Sequence, residues 1–509
     1  MLAAVRAGVV PAWRLVNLVS LTDGMWLSMP PSHPLRGRVA IDVAVLLSEA
    51  ARHGTAEPSR LLDAVEIARE GLGLMRPDNP DWPEAMSNVA AVVSEAVHEG
   101  LLPASQLGDA AEAAMRALEE APPGPMRPGL ATNASALIAE AVAAGALPRA
   151  RIEESFRLQM DALDSSPFPD PDRPAYASNA MQRLAEASSL HLVSREVALQ
   201  RVRKLVEDAW RQSIASVTPT QRHRVAELTS RLARLAPLLL LRLGHDPVEA
   251  AVAVEMLQGH LLRGLRAPGL PAGLVGPELE ARYVKAATAY DASQRRALDG
   301  VGDYADSAAT LMELEASLHE VRHQHPELLL GDRPSPTDLL DVLPEDAFVI
   351  YLIQGMQTPL TRHAGAAVVL RRGQRPRHVD LPGLSHESVA ENVAKLLDPD
   401  ASLTDVCAWL WKAVAAPLLK ELGVTGAAGE VPPRWAFVLT GLVSALPLHA
   451  ASDSSATLDD LVQVVQLRTV LAPAGRATAS SHAATGGLAM ALHADDLLSP
   501  HRTWRWLPP

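Results

Sequence analysis

Apolar residues in the first half of the chain recur at helical spacing, and the whole pattern then recurs. In SNVAAVVSEAVHEGLLP (87–103), Val89, Val92, Val93, Ala96 and Val97 fall on one face of a helix. Gly100 stops that helix and Pro103 opens the connection. A second helix is predicted next, with Leu107, Ala110, Ala111, Ala114, Met115 and Leu118 on one side, and APPGPMRP (121–128) closes the unit. TNASALIAEAVAAGALP (132–148) repeats the stretch, IDVAVLLSEAARHGTAEP (41–58) is a weaker copy, and SNAMQRLAEASS (178–189) begins a fourth. A Glu-Ala pair falls at Glu49, Glu95, Glu140 and Glu186, so the period is 45 or 46 residues. Asn88, Asn133 and Asn179 share another position, with Asp42 in the first copy. One helix pair cannot bury its apolar face alone, so the units are expected to stack into a solenoid. AGVVP (7–11) stands where EGLLP and AGALP stand in later copies. The chain is therefore expected to begin inside a unit, through truncation or a mis-called start.

Helical patterning continues after 216 while the repeat decays, and the texture changes at DRPSPTDLLDVLPED (332–346). AFVIYLI (347–353) reads as a buried strand. AGAAVVLRR and PRHVDLPG make two more, joined at RGQR as a hairpin. A helix is predicted from Ser385, with Val389, Val393, Leu396 and Leu397 inward. A longer one is expected from Ser402, where Ser402 and Asp405 form a capping-box pattern, to Gly423. WAFVLTG (435–441), LVQVVQLRTV and GLAMALHA complete the strand candidates. Strands alternating with helices predict a mostly parallel, three-layer sheet. The fold class is thus α + α/β: a helical solenoid over 1–215, a helical continuation and connector over 216–331, a linker over 332–344 and an α/β segment over 345–509.

These stretches carry two resemblances. The units over roughly 4–215 resemble tetratricopeptide repeats in a longer, linker-extended form. EDAFVIYLI, AGAAVVLRRGQRPRHVDLPGL, GLVSALPLHAAS and VVQLRTVLAPAGRA resemble, in that order, the first half of a CHAT domain, a caspase-like family. Gly441, Pro447, His449, Ala450 and Ala451 match the family's structural turn, and Pro417 matches a helix proline; Ala474 departs from the family's Pro-Ser pattern. The resemblance implies a cysteine endopeptidase whose catalytic His and Cys lie further along the domain. No His-Gly pair follows residue 345 and Cys407 is the only thiol. The domain is therefore expected to be incomplete and to have no catalytic residues in this chain, which makes the chain a protein-interaction protein that binds a partner protein through its solenoid. An alternative is a peptidase whose catalytic half belongs to a parent sequence or another chain.

Composition narrows the choices. The chain has 509 residues, a formal net charge of −13 and only 4% aromatics, so its core is built from Ala, Leu and Val. An acidic balance argues against a nucleic-acid groove. Arg greatly outnumbers Lys, as in a GC-rich, bacterial coding sequence. One cysteine permits no intrachain disulfide, and no secretory leader or membrane span stands out, so a cytoplasmic protein is expected. Cys407 lies on the apolar side of its helix with Leu403, Leu410 and Val414, where a thiol behaves as a small hydrophobe. HEVRH (319–323) matches a zinc-hydrolase signature in which His319 and His323 would hold the metal and Glu320 act as base. Pro326 ends that helix almost at once and no third ligand is evident, so it stands only as a second alternative, and no cofactor or metal is expected. His449 is expected to hold the turn after strand 435–441 through hydrogen bonds rather than to do chemistry.

Overall fold

The computed structural model describes residues 14–124, 126–166, 173–215, 219–263, 276–298, 310, 312–314, 316–317, 320–321, 334–398, 401–424, 432–453 and 456–467. Two compact units form, one running to Ser194 and the other from Arg195 through the sheet.

The first unit is an array of helix pairs. Helix α1 (Arg14–Ser28) is followed by α2 (Arg36–Arg52), α3 (Arg60–Leu74), α4 (Trp82–His98), α5 (Gln106–Glu120), α6 (Arg127–Ala143), α7 (Arg151–Ser165) and α8 (Arg173–Ser189). The first helix of every pair has 17 residues and the second has 15. The helices α2, α4, α6 and α8 pack on one another in succession. Side-chain bonds between them define their register. Arg38 reaches Glu84 with two bonds of 2.9 and 2.8 Å, the Asn133 amide donates to Ser87 Oγ at 3.1 Å, and Ser94 Oγ donates to Glu140 Oε2 at 2.9 Å. In each case the two residues are 46 positions apart.

The Glu-Ala pair marks where each of these helices stops. The backbone N–H groups of Thr55, Leu101, Ala146 and Leu192 donate to the carbonyls of Ala50, Ala96, Ala141 and Ala187 at 2.7 to 2.9 Å. This is the six-to-one bond that closes a helix through a left-handed residue. The left-handed residue is Gly54, Gly100 and Gly145 in the first three units and His191, at φ 57°, in the fourth. The four alanines are at most 1% exposed, so each stop lies inside the packed array, where added volume is felt. At the other end, Arg36, Arg127 and Arg173 each donate to carbonyls of the preceding helix. Arg36 reaches Trp26 O at 3.2 Å, Arg127 reaches Leu118 O at 3.0 Å and Ala121 O at 2.9 Å, and Arg173 reaches Leu163 O at 2.8 Å. A guanidinium there satisfies orphan carbonyls and complements the helix dipole.

The second unit opens with α9 (Arg195–Ala215), α10 (Pro219–Arg242), α11 (Pro247–Arg263) and α12 (Pro277–Leu298), and continues through the short α13 (Pro336–Asp341) into a sheet. The strands are β1 (Ala347–Ile353), β4 (Gly365–Leu370), β5 (Arg377–Leu381), β6 (Arg434–Leu439) and β7 (Gln463–Leu467), in spatial order β5-β4-β1-β6-β7. Strands β2 (Met356–Gln357) and β3 (Arg362–His363) pair separately. The sheet is mixed rather than mostly parallel: β1–β6 and β6–β7 are parallel, β1–β4 and β4–β5 antiparallel. The reason lies in the connections. A tight turn through Gly373 joins β4 to β5, and the β2–β3 excursion folds β4 back against β1, whereas the helical crossover α14 (His386–Leu397), α15 (Leu403–Leu410) and α16 (Ala416–Leu422) delivers β6 parallel to β1.

Helices cover both faces of β1, which is buried along its whole length. Phe348, Ile350, Leu352, Trp435 and Phe437 share one core with Val389, Val393, Leu410, Val414 and Leu418 of the crossover. On the other face α10 packs on β1 and α11 on β4, and Tyr351 Oη donates to the buried Glu255 at 2.8 Å. Two expected core residues are exposed, Leu397 and Leu403, because each sits at a helix end beyond the packed turns. Ser385 and Ser402 cap their helices, and Gly423 ends the long segment at φ 68°. Between α15 and α16 the chain widens into a π turn, Trp411–Ala415, which the periodicity did not foretell. Pro417 accounts for it: the ring cannot sit over the carbonyl four residues back in a regular helix. GLAMALHA, the last strand candidate, lies outside the described residues.

Gly100 has nothing within 4 Å of where a Cβ would stand, so its φ of 71° alone resists substitution. Gly100→Ala is expected to cost about 1 kcal/mol in urea unfolding of the array. Gly124→Ala, equally uncrowded and without positive φ, should cost clearly less. Equal costs would show that the left-handed turn does not stop the helix.

Candidate functional site

The carboxyl ends of β1 and β6 face the same way, and the chain leaves this pair in opposite directions: from β1 toward β4 on one side, from β6 toward β7 on the other. Crevices at such a point are where open α/β sheets take ligands. Here one buried side chain organises the crevice. Gln354, directly after β1, is fully buried. Its backbone N–H donates to Thr440 Oγ1 at 3.0 Å, and Thr440 N–H donates back to Leu352 O at 3.0 Å. Its side-chain oxygen accepts from Leu442 N–H at 2.8 Å. That bond orients the amide, so the NH2 group faces His386 Nδ1 at 3.2 Å and donates to it.

Gly441 adopts φ 61°, and a Cβ there would lie 2.4 Å from Gln354 Oε1 and 2.8 Å from Arg234 Cδ. Only glycine lets the turn, the glutamine and the arginine of α10 come together. His386 is the first residue of α14 and is half-buried. Burial, reinforced by Arg234 and Arg231 and opposed by Glu387, pushes its pKa down to about 4. Burial alone lowers Arg234 to about 10, which leaves it charged at neutral pH. His363 of β3 is pushed down to about 4 by burial and by Arg242.

Of the residues predicted from the turn motif, Gly441 lies in this network. The other four do not. Leu448–Ala450 is a short 3-10 turn, Ala451 is buried, and Pro447 and His449 line an open pocket of about 420 Å3 with Ser444, Leu446, Asp459 and Gln466. The expectation for His449 is corrected. Its ring is exposed and makes no hydrogen bond among the described residues. The turn is held by backbone bonds, Leu446 to Val443 at 3.1 Å, Ala450 to Pro447 at 2.9 Å and Ala451 to Leu448 at 3.1 Å, and by the Gln354 side chain. Sequence reasoning missed Gln354, His386 and Arg234. The one available signal was a glutamine directly after an apolar strand.

Cys407 is 7% exposed, and burial raises its thiol. Its backbone carbonyl, not its sulfur, bonds the chain by accepting from Ser452 N–H at 3.2 Å. In HEVRH, His319 and His323 lie outside the described residues, and Glu320 is paired with Arg282. Among the described residues no cluster of three His, Cys, Asp or Glu side chains is placed to hold a metal.

The array carries a second set of polar groups, and its two rows differ. The glutamate row is consumed internally. Arg52 bridges Glu49 at 3.0 Å and Glu95 at 3.2 Å, and Arg183 pairs with Glu186 at 2.8 Å inside the core. Burial pulls Arg52 down, but the two carboxylates outweigh it and hold its pKa above the usual value. The row at Asp42, Asn88, Asn133 and Asn179 is consumed only in part: Asp42 pairs with Arg38 at 3.4 Å and the Asn133 amide donates to Ser87. Asp42, Asn88 and Asn179 are partly exposed. Asn88 and Asn179 make no side-chain hydrogen bond among the described residues, and Asn133 Oδ1 has no partner.

No helix among the described residues is long and apolar enough to cross a membrane. No family model matches the chain, and no curated protein matches it.

His363 and His386 set a pH dependence. In the folded chain both stay neutral until about pH 4, while the unfolded chain takes up their protons near 6.5. Acid therefore favours the unfolded state between pH 6.5 and 4: the stability these residues allow is complete above 6.5 and lost as pH falls. His363→Gln should flatten the fall in stability between pH 6.5 and 5 by up to about 1.4 kcal/mol per pH unit, read from urea midpoints across that range. An unchanged slope would mean that His363 is protonated in the folded chain.

Proposed function

We propose that this chain is a helical-repeat interaction protein of the tetratricopeptide–CHAT type. Its array binds a segment of a partner protein, and its α/β unit performs no peptidase chemistry. The observation that carries the reading is the polar row at Asp42, Asn88, Asn133 and Asn179. These side chains recur at one position of successive stacked helices, and two of them, Asn88 and Asn179, are partly exposed with no side-chain hydrogen bond among the described residues. An extended peptide offers a matching series of backbone donors and acceptors. The loss of chemistry rests on Cys407: a thiolate is the nucleophile in such enzymes, and a buried thiol with a raised pKa stays protonated.

Two measurements test this. Peptides selected from a random display library against the purified chain should bind it, and Asn88→Ala with Asn179→Ala should weaken that binding at least about tenfold, or 1.4 kcal/mol, while helical content is unchanged. Binding unaffected by the double substitution would remove the asparagine row from the site. Fluorogenic peptides should be cleaved no faster by the wild-type chain than by Cys407→Ala; Cys407-dependent turnover would overturn the non-enzymatic reading.

A further inference from the structure

The crevice at the ends of β1 and β6 goes beyond the partner-binding reading and stands independently of it. Arg234 is half-buried on α10, and its one hydrogen bond among the described residues runs from Nε to Ser230 O at 3.3 Å. No carboxylate pairs with it there. Glu387, the nearest acidic group to His386 in sequence, is engaged by Arg362 at 3.3 Å. A partly buried guanidinium without a counter-charge gains when an anion takes the place of the missing carboxylate.

His386 supplies the second element. Because Leu442 N–H occupies the Gln354 oxygen, the glutamine can only donate to His386 Nδ1. The ring proton must then sit on Nε2, which makes that atom a donor. Arg231 adds positive field, since it acts on His386 together with Arg234. We propose that this crevice binds a singly charged carboxylate, paired with the Arg234 guanidinium and accepting a hydrogen bond from His386 Nε2–H. A monoanion fits better than a phosphate dianion. The site offers one unpaired cation and one neutral donor, and the chain as a whole carries a net charge of −13, which opposes a second negative charge.

The test follows His386 by NMR in the full chain carrying labelled histidine, with its resonance identified by loss in His386→Gln. Titration with acetate should shift it saturably, with a dissociation constant on the order of 1–10 mM. Saturation should raise the His386 pKa by at least about one unit, because a bound carboxylate replaces the missing counter-charge. The same titration should leave His363 unmoved, and chloride at equal ionic strength should not reproduce it. Arg234→Gln should abolish the saturable response and itself raise the His386 pKa in the absence of acetate. A response to acetate that does not saturate, that moves His363 equally, or that survives Arg234→Gln overturns the proposal; the first two are read on the wild-type chain and need no variant to fold. The source of the carboxylate is separated by a short amidated peptide containing one glutamate against its glutamine counterpart. Tighter binding of the glutamate peptide than of acetate assigns the site to an acidic side chain, and binding of acetate alone assigns it to a free small acid. Either result supports the carboxylate site.

Discussion

The array depends on one backbone interaction repeated four times: an alanine carbonyl accepting the N–H that follows a left-handed turn. It ends every inner helix at the same residue, and so fixes where the next helix begins. Because the helices end at equivalent residues, successive 17-residue helices meet at a constant offset of 46 positions. Arg38 then meets Glu84 at the equivalent position, while Ser87 meets Asn133 and Ser94 meets Glu140 one residue beyond it. The alanine serves twice, since its small side chain is also buried in the packed array. A larger residue there would act on both the stop and the spacing.

The second unit is governed by a different kind of contact. Its sheet changes direction at β1, and the two chain segments that diverge there are tied together by Gln354. The glutamine spends its backbone N–H on Thr440, its oxygen on Leu442 and its amide on His386. A buried polar group with all of these bonds made is stabilising and orienting, and with one of them lost it becomes a liability. The strand end, the turn after β6 and the start of α14 are therefore one polar assembly, although they are far apart in the chain.

How much of this was legible in the sequence follows from what kind of constraint each residue answers. The repeat was legible because burial acts on residue type at fixed spacing: Ala at the stop, Gly at the turn, apolar residues on one face. Strand β1 was legible to the residue because both its faces are covered and every position is apolar. The hairpin at Gly373 was legible from its turn residues, yet the mixed order of the sheet was not, since pairing between distant strands leaves no local periodicity. The crevice was the least legible. Gln354 is one polar residue after a strand, His386 opens a helix like many others, and Arg234 lies on a helix more than a hundred positions earlier. Only folding shows that they meet. His449 misled for the converse reason: its place two residues after Pro447 in an uncharged stretch suggested that its ring holds the turn, whereas the 3-10 turn leaves it exposed. Pro417 stood inside an expected continuous helix, and the π turn it causes was not foreseen.

The spacing between units has a further implication. The helices keep lengths of 17 and 15 residues throughout, while the connections 75–81, 121–126 and 166–172 differ, the middle one being a residue shorter. That single loop absorbs the whole difference between a period of 46 and one of 45. A residue gained or lost within a helix would rotate everything beyond it by about 100° and carry the alanine, the glutamate and the asparagine off their seams. A residue lost in a connection changes only the length of a tether. The array thus distinguishes two kinds of length: helical length works as gearing, where one tooth matters, and loop length works as slack. Insertions and deletions accumulating along such a chain would be sorted by that distinction, with the loops recording its history and the helices keeping its mesh.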